Sequence, residues 1–372
     1  MLCFTSYGLR LNSDRDDPLK FQKQDLVSPT LTQRCWKEYT EGKYLSRYLV
    51  EEIKYLEWRS DRCPARLVRP TFSELYRSPK LLLGRQTRCV AYDDRDLICD
   101  NTCMVCTFYR SLGDVDNSHI RHYFHSLGAE RTECERASEG YSLLYLCALL
   151  NSKTLQHQLN TFRPGNIDAY PDDWKQLPIR RISFTTPVWE RESLGDAAQT
   201  LYAEYLDTGK SKRLLDFVES RLETITDEDG RVLEPEQSDV VHDLLAYLAV
   251  QMIEMHKAKN EETRGFLDWL TGYTGLPIED WSSKTNLKAY YQHDWAEMQR
   301  VLNANRRQIK KVDVVGREAS ERIRHEYEAS VGKLRPLLAR IAATYRLIDL
   351  IVYRLYGLTE EEVAVVEGRS EP

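Results

Sequence analysis

The chain has no apolar run long enough to cross a bilayer. Its longest apolar stretches are short, such as "LLYLCALL" and "IDLIVY", whereas a spanning helix needs about 20 residues. The first residues, "MLCFTSYGLRLNSDRDD", hold neither a basic stretch nor a long apolar one, so no secretory signal is expected. The phosphate-cradling pattern G-x-x-x-x-G-K-[ST] is missing, as are G-x-G-x-x-G, G-x-S-x-G and H-E-x-x-H. So are the Asn-Pro-Pro-aromatic motif of adenine methylation and a glycine-rich S-adenosylmethionine loop. These gaps leave no recognisable catalytic constellation. Regular cysteine spacing is lacking too: nine cysteines, an odd number irregularly placed, point to reduced thiols in a cytoplasmic protein and not to a disulfide framework.

Basic charge is in short supply. The net charge of −6 excludes a uniformly basic coat. The balance is uneven, however: residues 62–181 hold 17 Lys and Arg against 14 Asp and Glu, so the acidic excess lies elsewhere. A phosphate backbone senses charge within a Debye length of about 8 Å, which makes the local sign the relevant one.

What is present divides near residue 190. Before it, "PKLLLGR", "RCVAYDD" and "RDLICDNTCMVCTFY" predict short strands split by Gly, Asp and Asn. "EGKYLSRYLVEEIKYLEW" is spaced closer to helix than to strand. "GYSLLYLCALLNSKTLQHQLNTF" predicts one long buried helix over 140–162, and "LPIRRISF" a short strand. After residue 190 the patterns are helical. Val241, Leu244, Leu245, Leu248, Met252 and Met255 share one face, with Ser238 as N-cap. A second long pattern runs from Arg317 to Tyr356, Gly357 suits the C′ position, and Thr359 with Glu362 forms a capping box. The expected class is α+β: a mixed α/β domain over 1–190 followed by a mainly helical domain over 191–372.

"CDNTCMVC" raises the question of zinc. Four ligands must converge on a structural ion. In a strand Cys103 and Cys106 point to opposite faces and cannot share one, so buried thiols are the expectation and no metal site is assigned. The histidines of "SHIRHYFH" (His119, His122, His125) sit three apart, which on a helix sets neighbours on one face. Polar surface and phosphate contact are the first expectation for them, with metal ligation and acid–base work as the alternatives.

Five phrases in order carry a resemblance: "EGKYLSRYLV", "RPTFSELYRSPKLLLGR", "LLNSKTLQHQLN…WKQLPIRRI", "FLDWLTGYTGLPIEDWSSKTNLKAYYQHDW" and "EYEASVGKLRPLLARIAATYRLIDLIVYRLYGLTEEEVAVVEG". From about Tyr7 to Gly368 the chain resembles the C-terminal part of type IIG restriction–modification enzymes and related adenine-specific DNA methyltransferases. That part is a TaqI-like target-recognition domain and the helical region after it. The resemblance implies a module that selects a DNA sequence, and it places Met1 where that module begins. The family's catalytic half has no counterpart here, so catalysis by this chain alone is not expected. No cofactor is assigned to it; S-adenosylmethionine and magnesium would belong to the catalytic half. The implied partners are double-stranded DNA and a methyltransferase or nuclease subunit, with no membrane. A fragment that binds or inhibits a full-length relative, and a diverged complete nuclease, are the competing readings.

Arg pairs with guanine edges and Asn with adenine edges, while phosphates take Lys, Arg and His. The candidate DNA contacts are therefore the basic and turn residues of the mixed half: Arg77, Lys80, Arg85, Arg88, Asn101, Arg110, His119, Arg121, Arg163, Asn166, Arg180 and Arg181.

Overall fold

The computed structural model describes residues 3–11, 22–60, 72–165, 167–227 and 231–369. The class is α+β, with strands confined to the early chain except for one short hairpin. The chain forms two compact units. One comprises Met1–Ile253 with Tyr345–Pro372, the other Glu254–Thr344.

The first unit is built on two four-stranded sheets. β1 (Cys3–Tyr7), β5 (Lys80–Gly84), β6 (Val90–Asp93) and β8 (Cys103–Phe108) form an antiparallel sheet in the order β1-β8-β5-β6. β2 (Val27–Ser28, directly after the single-turn helix α1, Lys23–Leu26), β3 (Lys37–Thr40), β4 (Lys54–Leu56) and β7 (Ile98–Cys99) form the other, in the order β2-β4-β3-β7. The turn after β7 carries the chain from one sheet to the other. It is tightly enclosed: a Cβ on Gly8 would sit 2.1 Å from the Asp100 carbonyl oxygen, and one on Gly42 2.5 Å from that of Thr102. Only glycine admits this approach.

The register sets what each sheet face meets. Thr5 lies opposite Cys106, Leu81 opposite Cys106, and Leu83 opposite Met104. Opposed residues share a face and neighbours alternate. Leu82, Ala91, Cys103 and Val105 thus turn into a core with Leu9, Tyr39, Leu56, Ile98 and Tyr109. Cys3, Thr5, Leu83 and Cys106 turn the other way, as the alternation argument for Cys103 and Cys106 requires. Among the described residues no three His, Cys, Asp or Glu side chains converge to hold a metal ion.

Helices follow: α2 (Ser118–Leu127), α3 (Arg131–Ala137), α4 (Leu143–Asn151), α5 (Lys153–Phe162), α6 (Pro171–Lys175), α7 (Val188–Thr208) and α8 (Lys212–Leu222). Then come the hairpin β9 (Ile225–Thr226) and β10 (Val232–Glu234), and α9 (Ser238–Thr274), α10 (Lys284–Lys288), α11 (Trp295–Asn305), α12 (Arg317–Leu355) and α13 (Glu360–Val366). α4 lies over the first sheet. Asn151 secures it there, accepting from the Val90 N–H at 3.1 Å and donating to the Val90 carbonyl at 2.8 Å.

Several expectations need correction. The predicted helix over 140–162 is two helices, because Ser152 takes an extended conformation (ψ 153°) and caps the second. "LPIRRISF" is not a strand, and among the described residues it pairs with none. Its backbone N–H groups go instead to side chains: Arg180 to the Tyr356 hydroxyl (3.2 Å), Ile182 to the Tyr141 hydroxyl (2.8 Å) and Ser183 to Ser238 Oγ (3.0 Å). Ser238 is therefore the first helical residue, its hydroxyl serving a neighbouring segment. "EGKYLSRYLVEEIKYLEW" is not a helix; it holds a 3-10 turn at Gly42–Tyr44, a left-handed Tyr48 (φ 73°) and β4.

Compactness also divides the chain elsewhere than at residue 190. Thr186 donates to Asp239 from its backbone N–H (2.9 Å) and hydroxyl (2.6 Å). The Ser142 N–H meets His242 Nε2 at 3.0 Å, and the Lys153 N–H meets Asp349 Oδ1 at 2.8 Å. These bonds join the start of α9 and the end of α12 to the mixed half. The second unit has its own core, including Phe266, Leu270, Trp281, Tyr290, Val301, Ile323 and Leu334. No described helix is long and apolar enough to cross a membrane.

Candidate nucleic-acid interface

α2 is ten residues long, with Asn117 at its N-cap accepting from the Ile120 N–H and Gly128 closing it at φ 64°. Ile120 is buried, and Tyr123, Phe124 and Leu127 pack partly buried against the core. Tyr109 reinforces that seat, with ring centroids 6.2 Å from Tyr123 and 5.4 Å from Phe124. This amphipathic spacing fixes the outward face: His119, Arg121, His122 and His125 are all exposed. The stretch from Asn117 to Ala129 contains no carboxylate. The helix thus presents donors and positive charge on a surface free of its own acids.

One more candidate, Arg77, lies near its start. Arg77 makes a paired contact with Asp114 (2.9 and 2.7 Å), and Arg121 meets Asp116 at 3.4 Å. Both pairs are exposed, so exchanging the carboxylate for a phosphate costs little. The His119 ring lies over Phe72 at 6.3 Å.

A second group surrounds the end of β5. Arg85 donates to the Asn101 carbonyl at 2.8 Å, pairs with Asp168 at 2.7 Å, and lies between the Tyr7 and Tyr170 rings. Arg163 pairs with Asp173, both carboxylate oxygens at 2.9 Å, and covers Tyr170 from 5.2 Å. Asn101 is exposed in the turn after β7. Arg88 is a structural clamp: it donates to Asn160 Oδ1 and to the carbonyls of Arg163 (2.7 Å), Gly165 (3.0 Å) and Ile167 (2.9 Å). It is buried, so its assignment as a DNA contact is corrected.

Lys80 needs the same correction. It is fully buried, pairs with Asp93 and donates to the Tyr76 carbonyl at 2.7 Å. Burial disfavours its charged form and lowers its pKa even beside Asp93.

The remaining candidates are scattered. Arg110 donates to the Tyr141 carbonyl at 2.7 Å and lies over Phe108. Arg180 pairs with Glu236 at 2.9 Å and reaches the Leu355 carbonyl at 3.2 Å. Arg181 is exposed. Asn166 lies outside the described residues. The structure thus brings Arg77, His119 and Arg121 together at α2, and Arg85, Asn101 and Arg163 at the end of β5. His122 and His125 share the α2 surface and were absent from the candidate set, although their three-residue spacing is visible in the sequence.

A family model for a domain of unknown function, DUF8810, matches residues 238–352. The match starts at the first residue of α9 and stops near the end of α12, so it excludes α2 and every described strand. No curated protein matches the chain.

Proposed function

We propose that the chain is a DNA-specificity module that reads duplex DNA for a methyltransferase or nuclease partner, as its resemblance to type IIG target-recognition domains implies. The observation that supports this most is the row of exposed donors on α2, a helix that carries no carboxylate of its own. A major groove admits one α-helix, and His119, Arg121, His122 and His125 can all donate to base edges or phosphates there. Arg77 supplies a flanking phosphate contact, and Arg85 with Arg163 a second one. S-adenosylmethionine and magnesium chemistry stays with the partner in this reading.

Fluorescence anisotropy with a labelled duplex tests it. Binding is expected at low ionic strength, with log K falling linearly against log salt. Arg121→Ala is expected to reduce that slope by about one. Changing His119, Arg121, His122 and His125 together to Ala is expected to abolish sequence selection from a pool of genomic fragments. Absence of binding at low salt, or an α2 variant that selects as the parent does, would sink the proposal.

One observation favours the protein-interaction reading instead: Leu31 and Trp36 are 64% and 49% exposed within one short segment. Co-purification of a methyltransferase subunit without any duplex affinity would decide for it.

A further inference from the structure

The sheet face that carries Cys3, Thr5, Leu83 and Cys106 is only partly covered by α4. Beside it, α3, α6 and the 177–184 segment enclose a cleft of about 900 Å³. That volume suits a ligand of a few hundred daltons. Leu83, Leu146, Leu150, Trp174 and Phe184 line its apolar part. Two buried thiols line it. Cys106 lies opposite Thr5 across the β1–β8 ladder, and Cys3 is the diagonal neighbour on the same face.

We propose that Cys106 and Cys3 form a thiol–disulfide exchange site for a small peptide disulfide, of the glutathione disulfide kind, bound in this cleft. The charges around the cleft select this class of ligand. Arg136, Arg181, Glu133 and Glu139 all border it. Among the described residues none of the four has an ion-pair partner. Two cations and two anions left open match a ligand that carries both carboxylates and ammonium groups. The thiols divide the labour. The Cys3 and Thr5 side chains hydrogen-bond the Cys106 sulfur and hold its pKa below the ordinary thiol value, against the effect of burial. Burial and the neighbouring Cys106 push the Cys3 thiol well up. Cys106 also faces the Thr5 hydroxyl directly across the ladder, a donor to its thiolate, whereas Cys3 lies opposite Phe108; Cys106 is accordingly the nucleophile and Cys3 the resolving thiol.

The chemistry balances. The Cys106 thiolate attacks one sulfur of the disulfide, the S–S bond breaks, and one thiolate leaves and takes up a proton. Cys3 loses its proton and attacks the Cys106 sulfur of the mixed disulfide, expelling the second thiol. The protein dithiol is oxidised, the small disulfide is reduced to two thiols, and β1 is cross-linked to β8.

The test is mass spectrometry of the folded full chain after incubation with glutathione disulfide and alkylation of the remaining thiols. A Cys3–Cys106 cross-linked peptide is expected, and Cys3→Ser is expected to trap one glutathionyl adduct on Cys106. Cys89, the more exposed thiol, is the internal comparison. Should the cysteine variants fail to fold, Arg136→Glu with Arg181→Glu leaves the thiols intact. That double variant is expected to slow the reaction with glutathione disulfide by about tenfold or more and to leave the rate with neutral hydroxyethyl disulfide unchanged. Modification of Cys89 while Cys106 stays reduced, reaction of Cys106 only in urea, or an unchanged glutathione disulfide rate in the double variant would overturn the proposal.

Discussion

Lys80 shows how far a residue's type underdetermines its role. A lysine opening the strand "KLLLG", in a stretch with arginines on both sides, reads from sequence as part of a phosphate-binding set. In the fold its strand is central, and every residue of β5 is buried. Its charge is therefore matched internally: Asp93 accepts from Lys80 and from the N–H groups of Arg95 (3.1 Å) and Leu97 (3.0 Å). Removing one partner of a buried pair leaves the other uncompensated, which costs about 3–5 kcal/mol. Lys80→Met is expected to lower unfolding free energy in urea by that amount, and Lys80→Met with Asp93→Leu by clearly less. An exposed lysine would show neither effect. Arg88 is a comparable case, since sequence cannot reveal that its guanidinium serves three carbonyls of one loop. The cysteines were more legible: strand alternation alone separates Cys103 from Cys106, and the register bears that geometry out. What alternation could not give is which thiol on the neighbouring strand meets Cys106, because pairing between β1 and β8 joins residues about a hundred positions apart.

At the scale of elements, local signals suffice where local physics decides. The capping box of Thr359 and Glu362 closes as expected, with N–H to oxygen distances of 2.8 and 3.2 Å. The long helix predicted from Arg317 to Tyr356 forms from Arg317 to Leu355. Elements set by distant partners are not legible in local sequence. The break at Ser152 is held by Asp349, and the 177–184 segment takes side-chain hydrogen bonds where a strand would take a ladder. α12 also keeps a local conflict, since Pro336 lies inside it four residues after Gly332. Proline has no N–H to return to the Gly332 carbonyl, and interior proline costs a helix about 3 kcal/mol against alanine. The helix continues through this turn, where Leu334 is buried in the core. Pro336→Ala is expected to raise stability by about 1–3 kcal/mol. Gly332→Ala, whose new Cβ would meet nothing within 4 Å, should add about 0.5–1 kcal/mol. Thermal unfolding followed by circular dichroism reads both. A loss of stability in either variant would mean that the turn departs from regular helix for a packing reason.

The chain as a whole passes between its two units only through α9 and α12. The sequence showed these helices but not this division, because each reads as one continuous periodic pattern while the two cores they enter are separate. The unit Glu254–Thr344 holds a buried histidine of its own, His256, through which it responds to acid. That side chain is 8% exposed, and burial, with Lys259 adding to it, lowers its pKa to about 4. In the unfolded chain the value is about 6.5. Above pH 6.5 both states hold the neutral ring, and His256 makes stability independent of pH. Between about 6.5 and 4 only the unfolded chain binds the proton, so stability falls as pH falls, by at most about 3 kcal/mol. Below about 4 the loss is complete. His256→Gln cannot take up that proton and is expected to flatten the decline between pH 7 and 4.5. Trp269, Trp281 and Trp295 belong to this unit and report its unfolding, whereas Trp36, Trp58, Trp174 and Trp189 report the other. Selective excitation is achieved by replacing either set with Phe. If His256→Gln flattens the acid response of the first set and leaves that of the second unchanged, the two cores unfold as separate cooperative units. Equal flattening of both would show that α9 and α12 couple them into one, and the matched stretch 238–352 would then be a part of a single folding unit.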